Sequence, residues 1–183
     1  SYIDTSTNTI KVADEGDATF QIIGWYEDRL IYVVNRNVTE ETEKYKLKSY
    51  NPVDGKIALL DITEFKSLGY SCDSYGYCGD KYYEETITKV AIVDGGILYA
   101  KEQYGGPGPT SKIYKIKADG KDKTEVASIE EGNYIQQFVA WDPNEIYYNY
   151  YENTSNSYKY FELAFNDSEP KEITDPIEKI AFD

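Results

Sequence analysis

Polar and apolar positions alternate along most of this chain, and the strand-forming residues Tyr, Ile, Val, Thr and Phe dominate the runs. A period of two in such residues predicts β-strands rather than helices. The runs fall into three groups: residues 20–23, 30–34 and 45–50; residues 89–93, 97–100 and 113–116; and residues 137–141, 146–150 and 160–163. Turn-forming sequences separate them, namely Glu27-Asp28, Asp54-Gly55, Asp94-Gly95-Gly96, Asp119-Gly120 and Asp142-Pro143-Asn144. No stretch carries three turns of helical periodicity, so the expected fold class is all-β.

The three groups repeat one plan. A first strand runs into a polar turn. A second strand follows with an aliphatic-Tyr pair (Ile31-Tyr32, Leu98-Tyr99, Ile146-Tyr147), then a third with alternating Tyr and Lys, then a short fourth such as Lys56-Ile57-Ala58-Leu59. Tyr32, Tyr99 and Tyr147 recur at one long and one short interval, and Asn51, Asp119 and Asn166 recur at the same two within about one residue. The long step contains an insertion over residues 62–84. Four antiparallel strands per unit of roughly 45 residues is the pattern of a β-propeller blade, which must stack on neighbours to bury both faces. The expected organisation is therefore a single propeller domain or segment with three complete four-stranded blades (residues 18–61, 85–128 and 134–174). Residues 1–13 read as the end of a preceding blade and residues 177–183 as the first strand of another. An open arc of this kind is expected to complete its ring within a longer chain, through a partner or through a second copy.

Composition narrows the chemistry. The 183 residues carry 33 acidic against 19 basic side chains, a net charge of −14. That balance argues against nucleic acid and against polybasic adhesion to anionic lipid. Twenty tyrosines supply apolar area that the mean hydropathy of −0.63 does not register. There is no His, which removes the commonest general base and metal ligand together. Met is absent as well, so Ser1 is expected to arise by processing or to lie within a longer chain. No charged and apolar leader opens the sequence, and no 18-residue apolar run is present to enter a membrane. Two cysteines, Cys72 and Cys78, lie in the Gly-rich insertion, too few for a zinc site and not spaced as Cys-x-x-Cys. Free thiols and a disulfide-closed loop both fit. The disulfide is the expected one, because closing about seven residues contributes roughly 2 kcal/mol, and it favours an extracytoplasmic compartment. The three sequons at Asn37, Asn153 and Asn166 do not change this picture.

The aliphatic-Tyr second strands, Tyr/Lys third strands and Asp-Gly loops together resemble TolB-type and related bacterial envelope propellers of unknown function. The resemblance spans nearly the whole chain apart from the cysteine insertion. It implies non-enzymatic binding or scaffolding outside the cytoplasm, secreted or anchored at the envelope, and supplies no catalytic residue. Propellers of that type usually close with about six blades, more than this chain can encode.

Candidate sites are few. The acidic clusters Asp14-Glu15-Gly16-Asp17 and Asp73 with Asp80 lack EF-hand ligand spacing and read as solvated turns, so no metal or cofactor is expected. Gly105-Gly106-Pro107-Gly108-Pro109 lacks a following Lys-Ser/Thr and reads as a hairpin tip rather than a phosphate cradle. Tyr75, Tyr77, Tyr104, Tyr148 and Tyr150 are the candidates for ligand contact, because exposed Tyr offers amphipathic area to a protein or glycan at low entropic cost. The expected function is a non-catalytic protein- or glycan-binding module. The alternative is a carboxylate-dependent glycan hydrolase or the gating propeller of a larger hydrolase.

Overall fold

The computed structural model describes residues 2–4, 9–11, 18–35, 44–105, 109–140 and 142–174. Among these there is no helix. A short antiparallel pair, β1 (Tyr2–Asp4) and β2 (Thr9–Lys11), opens the chain. Thirteen further strands form three antiparallel sheets, each a simple up-and-down meander. The first sheet holds β3 (Thr19–Tyr26), β4 (Arg29–Asn35), β5 (Tyr45–Tyr50) and β6 (Ile57–Ile62) in chain order. The second holds β7 (Phe65–Cys72), β8 (Cys78–Val93), β9 (Gly96–Tyr104), β10 (Ser111–Ile116) and β11 (Thr124–Ile129). The third holds β12 (Ile135–Ala140), β13 (Glu145–Glu152), β14 (Ser157–Ala164) and β15 (Lys171–Ile173). Outside residues 62–84 the described strands fall in the runs that alternation and turn chemistry mark out. The acidic run 14–17, Asn37, residues 106–108, Trp141 and the expected last strand at 177–183 lie outside the described residues.

The middle sheet holds the structure together, because each of its faces is packed. Ile97 and Tyr99 of β9 join Ile31, Val33, Leu47 and Leu60 of the first sheet in one apolar cluster. Leu98 and Ala100, on the opposite face of the same strand, join Ile146, Tyr148 and Leu163 of the third sheet in another. A strand covered on both sides reads as an unbroken apolar run, as Ile97-Leu98-Tyr99-Ala100 does. Ile31, Leu98 and Ile146 are all fully buried. Polar ties reinforce the contacts. Ser49 Oγ donates to the Ala118 carbonyl at 2.6 Å between the first and second sheets. Lys115 Nζ donates to the carbonyls of Phe165 (3.0 Å) and Asp167 (2.7 Å) between the second and third.

The insertion over residues 62–84 is more ordered than a disulfide-closed loop. Its residues form a hairpin in which β7 pairs with the first half of β8, from Phe65↔Glu84 to Cys72↔Cys78. The second half of β8 pairs with β9, from Glu84↔Tyr104 to Val93↔Gly96. The second sheet thus gains a fifth strand and a two-stranded arm that continues past the ends of the stacked strands.

Candidate functional site

The arm is built from alternating residues with punctuation at its tip. Cys72 and Cys78 face each other across the last strand pair and are joined by a disulfide. Asp73 organises the turn beyond them: its Oδ1 accepts from the amides of Tyr75 (2.9 Å) and Tyr77 (3.0 Å), and its own amide donates to the Tyr77 carbonyl at 2.9 Å. Gly76 supplies the left-handed residue the turn requires, at φ +84°. Asp73 is therefore a turn cap, as an acidic residue in this position is expected to be. The result is a fixed tip from which Tyr75 and Tyr77 project, 87% and 80% exposed.

At the root of the arm a second aromatic group gathers. Phe65 stacks on Tyr82 with centroids 5.8 Å apart. Tyr104, at the end of β9, stacks on Tyr134 at 5.5 Å with the rings nearly parallel. Burial followed by the charge of Glu102 pushes the Tyr104 hydroxyl up from its ordinary pKa, so the ring stays neutral. Gly105 follows at φ +79°, and a Cβ there would run into the Tyr82 carbonyl, so backbone approaches backbone at this corner. Between these groups lies a cleft of about 340 Å³ lined by Asp80, Lys81, Tyr82, Tyr104 and Gly105.

The other face of the same sheet carries charge. Asp61 is buried and receives the Tyr99 hydroxyl at 2.7 Å, Lys123 at 2.7 Å and Lys101 at 3.7 Å. Lys101 also reaches Glu85 at 3.0 Å and the Ile62 carbonyl at 2.9 Å, and the Tyr83 hydroxyl donates to Glu85 at 2.8 Å. Burial alone would raise the Asp61 carboxyl. The Lys123 hydrogen bond, the Lys101 charge and the Tyr99 hydroxyl outweigh it and hold Asp61 below the usual carboxylate range. Asp61 is thus a fixed anion tying the first sheet to the second.

Of the sequence-derived candidates, the structure brings Tyr75, Tyr77 and Tyr104 to the arm and its root. It takes Tyr148 out of reach of a ligand and places Tyr150 partly in the same packed face. Tyr148 is 2% exposed, stacked on Phe161 and tilted against Phe138 in the core shared with the middle sheet. Tyr150 is half-buried, with its ring on Phe161 at 5.6 Å. The reason is position: alternation sends Ile146, Tyr148 and Tyr150 to the face of β13 that packs on the neighbouring sheet. Tyr82, Phe65 and Tyr134 were not singled out by the sequence. Treating residues 78–84 as a strand would have placed Asp80, Tyr82 and Glu84 on one face and pointed to the cleft. Among the described residues no cluster of three metal-binding side chains occurs, and no helix is long and apolar enough to cross a membrane.

The disulfide makes its own prediction. Thiol titration of denatured, unreduced protein is expected to find no reactive cysteine. The paired Cys72→Ser/Cys78→Ser variant should speed hydrogen exchange at the Tyr75 and Tyr77 amides while leaving the global unfolding midpoint nearly unchanged, because the arm tip lies outside both apolar clusters. A large drop in the global midpoint would show that the arm belongs to the cooperative core.

No protein-family model matches this chain, and neither a curated protein nor a solved structure aligns with it.

Proposed function

We propose that this chain is a non-catalytic propeller segment of the extracytoplasmic space, of the TolB-like kind, that binds a protein or glycan through its disulfide-pinned arm. The observation that carries the reading is the arm itself. It holds exposed tyrosines in fixed geometry on a support that adds little to the apolar core. Three meanders in series, the middle one buried against both neighbours, are what successive blades require and support the propeller part of the proposal. The disulfide supports a compartment outside the reducing cytosol. Binding is preferred to hydrolysis because Asp61 and Glu85, the carboxylates gathered about Lys101, are engaged by cations rather than held ready to donate a proton.

The test is replacement of residues 66–83 by a short turn, with circular dichroism confirming that the sheets remain. Wild-type protein is expected to bind members of a glycan array or a panel of extracellular protein domains, and the armless variant to lose that signal. Equal binding by the two proteins would refute the reading. Turnover of a glycan that disappears on changing one Asp or Glu would favour the hydrolase instead.

A further inference from the structure

Resting on the arm as the binding element, we propose that the cleft at its root is a carbohydrate subsite, selective for neutral or amino-sugar pyranoses over acidic ones. Asp80, Tyr82 and Glu84 alternate onto one face of β8, and Tyr104 is the register partner of Glu84. Two carboxylates and two rings therefore lie on the same side of the arm; Glu84 is paired with Lys44, which leaves Asp80 as the carboxylate lining the cleft. Both rings are accessible, Tyr82 at 48% and Tyr104 at 39%, and each is braced by a second ring, Phe65 or Tyr134. A pyranose presents an apolar C–H face edged by hydroxyls. The face matches a tyrosine ring, and the hydroxyls match a carboxylate that accepts hydrogen bonds. Rings already held by neighbours have little freedom left to lose when a ligand arrives.

Size separates this ligand from a protein. The cleft of about 340 Å³ lies near the lower end of small-molecule sites, roughly 300–1,000 Å³. A folded partner would need a far broader surface, about 800 Å² from each side. Asp80 and Lys81 both line the cleft, so its local charge is balanced, and it is the −14 of the chain as a whole that separates neutral from acidic sugars. That field repels a uronate or a sulfated ring, while Asp80 accepts hydrogen bonds from an amine or a hydroxyl. The close approach of Gly105 to Tyr82 keeps the two strands in contact at the back of the cleft.

The experiment is calorimetric titration and saturation-transfer NMR of the full chain with gluco-oligosaccharides, glucosamine and N-acetylglucosamine oligomers, and a galacturonic-acid oligomer. Tyr82→Ala, Tyr104→Ala, Tyr104→Phe and the tip pair Tyr75→Ser/Tyr77→Ser are tested alongside. At least one neutral or amino-sugar oligomer is expected to bind, about tenfold more weakly on loss of either root ring. Tyr104→Phe, which keeps the ring and its stack on Tyr134, should bind like wild type and separates lost contact from lost fold. The uronate should bind least. Binding lost with the tip pair but retained in both root-ring alanine variants would overturn the subsite and leave the arm reading standing. Failure of every neutral and amino-sugar oligomer, or preference for the uronate, would also overturn it. If removal of the arm leaves all binding intact, both proposals fall.

Discussion

Leu98→Ala is expected to destabilise the protein by about 2–4 kcal/mol, with Ile31→Ala and Ile146→Ala close behind. All three side chains are fully buried, so each truncation removes apolar contact and leaves a cavity that stacked sheets close only in part. Their arrangement adds a sharper expectation. Leu98 and Ile146 share the cluster between the second and third sheets, whereas Ile31 belongs to the cluster between the first and second. Ile31→Ala with Ile146→Ala should therefore be additive within about 0.5 kcal/mol, while Leu98→Ala with Ile146→Ala should depart from additivity because the two truncations enlarge one cavity. Urea denaturation of the single and double variants at constant m-value measures both effects. Costs below about 0.5 kcal/mol at all three positions would mean that these strands do not form the shared core.

Those three residues were legible because an aliphatic-Tyr pair recurs at matching points of three similar runs, and a repeat places its strands without needing tertiary information. Tyr148 was not legible in the same way. Alternation assigns it to one face of β13 but does not reveal that the face is covered, and tyrosine suits a covered face as well as a wet one. The arm was hidden for a different reason. Gly69, Gly76 and Gly79 made residues 62–84 resemble an irregular excursion, yet Gly69 sits at a register shift and Gly76 in the tip turn, so they punctuate a hairpin. The strand character lies in what flanks them, Phe65-Lys66-Ser67-Leu68 and Lys81-Tyr82-Tyr83. Tyr134 reaches Tyr104 from beyond the second sheet, and no local pattern could pair the two. Asp61 is similar: no local pattern singles it out, because the two lysines that make its burial tolerable come from β9 and the segment before β11.

That dependence makes Asp61 the position where a single polar change should cost most. Asp61→Ala would leave the partly buried Lys101 with only Glu85 and the Ile62 carbonyl, remove the acceptor of the Tyr99 hydroxyl and free Lys123. Lys101 keeps Glu85 and the exposed Lys123 stays hydrated, so the cost should fall below the about 3–5 kcal/mol of a fully buried pair broken from one side, with the unpaired Tyr99 hydroxyl a large part of it. Asp61→Asn retains the shape and an oxygen for Tyr99 but not the charge, so it should fall between alanine and wild type. The pH dependence follows from the same contacts. The folded protein holds the Asp61 carboxyl below its unfolded value, near 4, so the unfolded chain binds a proton there first. The stabilisation from Asp61 is therefore fully present above about pH 4 and lost as the pH falls through the lower folded pKa. Chemical denaturation in steps from pH 6 to pH 2 should show wild type losing its advantage over Asp61→Asn across the acid end of that range, with the difference constant above it. Parallel stability curves for the two proteins down to pH 2 would show that the carboxylate does not act as a buried anion joining the first sheet to the second.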